Sequence, residues 1–343
     1  MAKTVLSLSK IDVFPVGLKS DPDRAVLKLD SAVRHLLEPN ETIISVIPYG
    51  NANWATTAKI ITRTIDHAVK EYFLKTVTGE LAQERVLAEL TCMSDLYHAV
   101  PDIVPRPYSA GRCFDRDGYY FLSEYVPITL GMPDAVQLGE EIARLHRVSQ
   151  SPTGKFGFSI TPYDGKLPLV VGWDSSWVSF FGKLLEGAYL LDVKFNGKWP
   201  KVDVAIVVIL AQVVPRLLGP LEQHGHSVKP CLIHGDLWED NIGKDINTGG
   251  IFIFDCCAYY AHHEMGVAMW RVKHHKMNAP EYRAEYFRNY PPDEPVSEFD
   301  DRNRLYSLKE SLMYSALKPG HWAREGALHD MEYLINKYVA AKE

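Results

Sequence analysis

Two carboxylates and an amide crowd into the stretch from His234 to Asp255. Asp236 follows His234 and Gly235, Asn241 comes five residues after Asp236, and Asp255 closes a later apolar run. The run Val228 to Ile233 leads into the first acid, and a polar DINTGG turn joins Ile242 to the second run, Ile251–Phe254. Short apolar runs separated by turn residues predict strands joined by a hairpin, so all three oxygen-bearing side chains leave neighbouring strand ends. Hard oxygen ligands suit a divalent cation such as Mg²⁺. An acid within hydrogen-bond reach of an attacking hydroxyl, beside such ligands, suits phosphoryl transfer. Alone, Asp236 could equally cap a turn; its spacing to Asn241 and Asp255 favours chemistry.

The elements that must position these residues fall into two parts. In the first third, DRAVLKLDSAVRHLL has apolar residues at helical spacing, and three β-rich runs follow at Thr42–Ile47, Ala58–Thr64 and Tyr72–Val77, most simply an antiparallel meander. After Gly79 a helix is expected to present Leu81, Val86, Leu87, Leu90 and Met93 on one face and to stop before Pro101. A Pro-rich connection, a strand, a DRDG turn and a strand from Tyr119 to about Val126 complete this part. The boundary is placed at Val126–Pro127, giving residues 1–127 and 128–343. Beyond it the pattern is mostly helical, with AVQLGEEIARLHRVSQ the clearest amphipathic case. No internal repeat is visible.

Composition narrows the possibilities. The chain has 343 residues, 46% hydrophobic and 23% charged, enough for one large two-lobed domain. A formal net charge of −6 argues against gripping a nucleic-acid backbone, which needs clustered Lys and Arg. The apolar segment Val202–Pro215 carries Asp203 and Gln212 and falls short of the roughly 20 residues a bilayer needs, so a buried helix and no membrane partner are expected. The N-terminus lacks a secretory pattern. Five cysteines, Cys92, Cys113, Cys231, Cys256 and Cys257, show no C-x-x-C spacing, which fits a reducing, cytoplasmic setting.

The spacing of His234, Asp236, Asn241 and Asp255 resembles the protein-kinase catalytic signature. With HGDLWEDN, FDCCAYYAHHE, TGKFGF, WDSSWVSFF, LGEEIARLH and YFLK, the chain resembles the fructosamine kinase family, also called ketosamine or protein-ribulosamine 3-kinases. That resemblance runs from about Tyr72 to Glu264. It implies an α+β, two-lobed protein-kinase-like fold, shared with aminoglycoside phosphotransferases: a small antiparallel N-lobe, a larger helical C-lobe, and ATP with Mg²⁺ between them. It implies that Asp236 orients and deprotonates a sugar hydroxyl, that Asn241 and Asp255 ligate Mg²⁺, and that Lys75 contacts the α/β-phosphates. The partner carboxylate of Lys75 is expected at Glu84, with Glu80 as rival. Adenine is expected at Glu124, Tyr125 and Val126, through the Glu124 carbonyl and the Val126 N–H. The loop PYGNANWATT stands where kinases cover the phosphates, but it has one glycine and no G-x-G-x-x-G pattern.

The reaction implied is phosphorylation of the 3-hydroxyl of a ribulosamine or fructosamine on a lysine amine, leading to deglycation of a protein or small ketosamine. Two other readings stay open: a kinase of aminoglycosides, choline-like or other hydroxylated amines, and a nucleotide-binding pseudokinase scaffold. Trp173, Trp177 and Trp238 form either a sugar-facing wall or part of the core. His262 and His263 beside Glu264 lack H-E-x-x-H spacing and read better as a hydrogen-bonded loop than as a metal site. His234 reads as structural. Two departures from the family pattern stand out: Gly266, where relatives carry an acid that braces the catalytic loop, and Cys256–Cys257 after Asp255.

Overall fold

Strands rich in β-branched residues pair into one antiparallel sheet in the first third of the chain. The computed structural model describes residues 28–37, 40–50, 55–223 and 225–339. A short helix α1 (Ser31–Leu36) is capped by Asp30, whose carboxylate accepts from Ala32 N–H at 3.0 Å. Strands β1 (Thr42–Pro48), β2 (Thr56–Arg63) and β3 (Val69–Val77) form the expected meander, with Thr57 opposite Lys75. Helix α2 (Ala82–Ala99) follows, then β4 (Pro107–Arg112) and β5 (Tyr119–Glu124), and the sheet order is β1-β2-β3-β5-β4. Residues 51–54 of the PYGNANWATT loop and residues 23–27 of the first expected helix lie outside the described residues.

The inward face of α2 differs from the expected one. Ala82, Val86, Met93 and Leu96 are buried, while Leu81 and Leu87 are exposed. Leu81 caps the helix in a left-handed conformation, φ +60°, and so stands outside the helical face the apolar pattern assigned it to. Residues 82, 86, 89, 93 and 96 therefore share one face, and that face turns Glu89 toward β3. Each fully buried Val, Met or Leu there contributes about 1.5–3 kcal/mol.

After Glu124 the chain leaves this sheet. β6 (Ile128–Leu130) pairs with β10 (Ile242–Asp245), which also pairs with β11 (Ile251–Ile253), and β9 (Cys231–Ile233) pairs with β12 (Tyr259–Ala261). Helix α3 (Ala135–Val148), capped by Asp134 through Gln137 N–H at 2.8 Å, packs on α7 (Pro280–Asn289). A small hairpin, β7 (Tyr163–Asp164) and β8 (Leu167–Pro168), follows α3. Helix α4 (Trp177–Asn196) lies along α8 (Phe299–Leu317), and α9 (Ala323–Tyr338) closes the chain on α8. The architecture is α+β, a five-stranded antiparallel sheet followed by a larger, mainly helical part.

The apolar segment at Val202 is longer than its sequence bounds suggest. Helix α5 (Pro200–Val208), a π turn and α6 (Val214–Leu218) join into one run, Pro200–Glu222, of 23 residues with mean hydropathy 2.1. By length and composition it could cross a membrane, so the length argument fails. Half of it is buried. Val202, Ile206, Ile209 and Val213 face the core, while Val204 and Val207 are exposed.

Candidate active site

The loop after β9 is built around backbone that only glycine allows. Gly235 has φ +82°, and a Cβ there would stand 2.3 Å from the Cys257 carbonyl oxygen. This close approach welds the loop to the segment after Asp255. Cys257 N–H donates to His234 O at 3.1 Å. The Phe254 carbonyl can only accept, so His234 carries its proton on Nε2, 3.0 Å away, and its Nδ1 accepts from Asp236 N–H at 3.3 Å. Burial pushes His234 down to about 4. It is therefore a neutral girder between the two acid-bearing segments.

Asn241 ties the acids together. Its Nδ2 donates to Asp236 Oδ2 at 2.9 Å, to Asp236 O at 2.8 Å and to Asp255 O at 3.4 Å. Its Oδ1 is thereby left for a ligand. Asp255 itself sits at φ +55°, a conformation that costs a non-glycine residue about 1–3 kcal/mol and that clusters at functional positions. Burial pushes Asp255 up, yet the Lys75 ammonium, 2.8 Å from its Oδ1, holds it below the usual carboxylate range. Asp236 is moved the other way. Burial, then the charges of Asp164 and Glu310, hold its carboxyl well above the ordinary value.

Lys75 Nζ also reaches Glu89, 3.0 Å from Oε1 and 3.0 Å from Oε2. Neither expected partner takes this place. Glu84 and Glu80 are exposed, because the phase of α2 points Glu84 away from the sheet and Glu80 precedes the helix. Burial and the Asp255 charge push Glu89 up to about 7. The result is a continuous series of contacts, Glu89 to Lys75 to Asp255 to Asn241 to Asp236, joining the first sheet to the helical part.

The hinge between the parts offers backbone groups. Glu124 N–H donates to Arg106 O at 2.8 Å and Tyr125 N–H to Glu71 O at 3.3 Å. Val126 N–H has no acceptor among the described residues. The Tyr125 ring is held edge-on by Tyr49 at 5.2 Å and by Lys59 Nζ, 3.9 Å from its centre.

Gly266 receives a structural reason. A Cβ there would lie 2.4 Å from His146 Cε1, so His146, from the LGEEIARLH helix, fills the space an acid would need. Its Nδ1 meets Tyr286 OH at 2.7 Å. The loop that carries Asp236 is braced instead by Trp270 Nε1–H, which donates to Leu237 O at 2.9 Å. Glu264, adjacent in the same segment, makes a fully buried bidentate pair with Arg302 at 2.7 and 2.8 Å. His262 contacts Tyr306 OH and Asp293, and His263 stacks on Tyr290 at 4.0 Å. The three neighbours thus have protein partners.

The three tryptophans separate. Trp177 is 0% exposed and its Nε1–H donates to Tyr306 OH at 2.9 Å, so it belongs to the core between α4 and α8 and cannot wall a sugar site. Trp173 is half-buried and stacks on Tyr260 at 6.1 Å. Trp238, two residues from Asp236, packs on His275 at 5.2 Å.

Sequence reading missed Glu89, and it missed a buried cluster beside Asp236: Asp164 from the β7–β8 hairpin, with Lys309 and Glu310 from α8. Lys309 Nζ donates to Glu310 Oε2 at 2.9 Å, and both are buried. The one available signal was a charged pair inside the apolar run LYSLKESLMYSAL.

A family profile described as fructosamine kinase matches residues 50–338. The chloroplastic protein-ribulosamine 3-kinase of Oryza sativa subsp. japonica is 28% identical over 244 residues, 70% of this chain and 66% of that protein. The Arabidopsis thaliana protein of the same name is 28% identical over 166 residues, 48% of each. The matched region thus spans a little under two thirds of the rice relative and about half of the Arabidopsis one. Among solved structures, a Thermobifida fusca protein provisionally named a fructosamine-3-kinase has TM-score 0.66 at 18% identity, covering 90% of this chain and 100% of that one. Aminoglycoside phosphotransferase APH(4)-Ia, in a ternary complex with AMP-PNP and hygromycin B, has TM-score 0.57 at 13% identity, covering 88% and 96%. At these identities the structures speak to fold.

Proposed function

Since the chain belongs to the fructosamine kinase family, we propose that it is an ATP-dependent kinase that phosphorylates the 3-hydroxyl of ketosamines, ribulosamine or fructosamine adducts of lysine amines. The observation that carries this reading is the unbroken series Glu89–Lys75–Asp255–Asn241–Asp236. Asp236 accepts the proton of the attacking hydroxyl and aims its oxygen; its raised proton affinity suits a group that takes a proton as the bond to phosphorus forms. Lys75, fixed from two sides, is placed to steady the α/β-phosphates, as a point charge rather than a fork. Val126 N–H and the Glu124 carbonyl are the adenine contacts in this account.

The residues present fit a magnesium ion. Asn241 Oδ1 and the Asp255 carboxylate are hard oxygen donors on adjoining segments, and Asn241's amide nitrogen is already spent on Asp236, which leaves its oxygen outward. Bound Mg²⁺ supplies neutralisation of charge on the nucleotide phosphates. In our reading the acceptor is a glycated protein or small ketosamine, the setting is cytoplasmic, no nucleic acid or membrane is involved, and the outcome is release of the amine from its sugar.

A panel of acceptors tests this. Purified chain with Mg·ATP should phosphorylate ribulose-lysine or fructose-lysine at a kcat/KM at least about tenfold above free sugars and aminoglycosides, a discrimination of the size one or two well-placed polar contacts supply. An aminoglycoside or choline-like amine as the best acceptor would replace the substrate class. ATP binding with no transfer to any acceptor would favour a scaffold.

A further inference from the structure

The two histidines that follow β12 face one carboxylate. His262 and His263 are 0% and 3% exposed, and their rings stand perpendicular, at 89° with centres 4.8 Å apart. His262 Nε2 lies 3.1 Å from Asp293 Oδ2, and His263 Nε2 lies 3.8 Å from Asp293 Oδ1. The second contact is too long for a hydrogen bond, so His263 Nε2 is a buried nitrogen without a hydrogen-bond partner among the described residues. Burial holds this ring below the ordinary histidine range, which disfavours the imidazolium. Neither neutral tautomer repairs the contact. With its proton on Nδ1 the ring turns a lone pair toward a carboxylate; with its proton on Nε2 the N–H stays unbonded. Such a nitrogen is costly unless a further group completes it.

A divalent transition-metal ion meets that need. Two ligands each about 2 Å from a tetrahedral ion stand about 3.3 Å apart, and the separations of 3.1 and 3.8 Å bracket that value. A ligating histidine also needs an oxygen beside its other ring nitrogen. Tyr306 OH lies 2.9 Å from His262 Nδ1, and Tyr286 OH lies 3.1 Å from His263 Nδ1. Asp293 is held through its backbone: its N–H donates to Glu264 Oε1 at 2.9 Å, and its carbonyl accepts from Arg302 Nη2 at 2.7 Å. Glu264 is itself spent on Arg302, so it fixes the position of Asp293 and is not a ligand. The Asp293 side chain is 42% exposed, which gives an ion and its water a way in. Imidazole nitrogens favour zinc-like metals over magnesium.

We propose that His262, His263 and Asp293 form a binding site for a divalent transition metal such as Zn²⁺, with water completing its coordination. The H-E-x-x-H spacing is not needed, because the third ligand comes from a separate segment, 31 residues after His262. The site uses none of the residues assigned to nucleotide or acceptor, and the inference stands independently of the ketosamine reading. β12 pairs with β9, the strand that leads into His234 and Asp236. Asp293 lies between α7 and α8. A bound ion therefore pins the end of the β9–β12 pair to the segment joining those helices, and occupancy stabilises the fold.

Zn²⁺ and Co²⁺ titrated into the full chain, first freed of metal with a chelator, test it. Wild type should take up Zn²⁺ with a Kd of about 10 µM or tighter, read by competition with a chromophoric chelator. Its Tm should rise by about 3 °C or more once the site is saturated. Bound Co²⁺ should give the visible absorption of a four-coordinate site with nitrogen and oxygen ligands, and excess Mg²⁺ should not displace it. Asp293→Asn should bind Zn²⁺ at least about tenfold more weakly and lose the Co²⁺ absorption. His263→Phe keeps the stack on Tyr290, removes the unpartnered nitrogen, and should show the same loss. Without metal both should melt within a few degrees of wild type; if His263→Phe fails to fold, Asp293→Asn decides alone, since its side chain is partly exposed and its backbone contacts are unchanged. Weaker binding than this by wild type, or equal Zn²⁺ affinity in wild type and Asp293→Asn, which would put the ion on other histidines, overturns the site.

Discussion

His274 carries two buried ring nitrogens with no hydrogen-bond partner, while its ring stacks on Tyr314 at 3.8 Å. Burial, then the neighbouring His275, His321 and Lys318, push it down to about 3. A depressed base takes its proton in the unfolded chain first, so stability is lost as pH falls below the ordinary histidine value and on toward about 3. His274→Phe keeps the stack and removes both unpaired nitrogens. It should stabilise the fold by about 1–3 kcal/mol near pH 7. The gain over wild type should widen on acidification by at most about 1.4 kcal/mol per pH unit, less what solvent screening removes. Urea midpoints at about pH 7 and pH 5 measure this; a gap that stays constant or narrows in acid contradicts it. At this scale Asp236, Asn241 and Asp255 were legible because they lie within one strand–loop–strand segment whose spacing is local. Trp177 was not, because a tryptophan's sequence neighbours do not say whether its indole meets a sugar or Tyr306.

Helix α2 shows where local pattern stops informing. Its apolar residues suggested one face, but the buried face runs through Ala82, Val86, Met93 and Leu96, and Glu89 rather than Glu84 or Glu80 meets Lys75. The signal that could have found it is the i, i+3, i+4 relation of Glu89 to Val86 and Met93, both buried. Removing the Glu89 charge leaves Lys75 with Asp255 alone, which in the proposed reading pulls the ammonium toward Asp255 and away from the phosphates. Glu89→Gln should therefore lower kcat/KM for ATP by about tenfold or more, the scale of a misplaced charge contact. Glu84→Gln and Glu80→Gln should stay within about twofold, as solvated pairs contribute little. Steady-state kinetics over varied ATP decide, and a loss at Glu84 equal to that at Glu89 would refute the assignment. Strands β1 to β3, by contrast, were readable to within three residues at their ends, because alternation and turn residues are local; the 23-residue run at Pro200 was not, since its π turn joins two helices across Pro215.

At the scale of the molecule, the change from strand pattern to helix pattern near Val126 was visible in composition alone. The α+β architecture followed from it. The closing of the two parts onto each other was not visible, because it depends on contacts such as Lys75 to Asp255, 180 residues apart in sequence. In the proposed reading Asp236 serves the acceptor and Asp255 the nucleotide, so substitutions there should fail differently. The most direct measurement pairs calorimetric Mg·ATP binding with phosphate transfer to a ketosamine for Asp236→Asn and Asp255→Ala. Asp236→Asn should keep nucleotide affinity within about threefold while losing about 10²–10⁴ in transfer rate, and Asp255→Ala should lose the magnesium-dependent part of nucleotide binding. Full transfer by Asp236→Asn, or unchanged magnesium dependence in Asp255→Ala, would contradict the account.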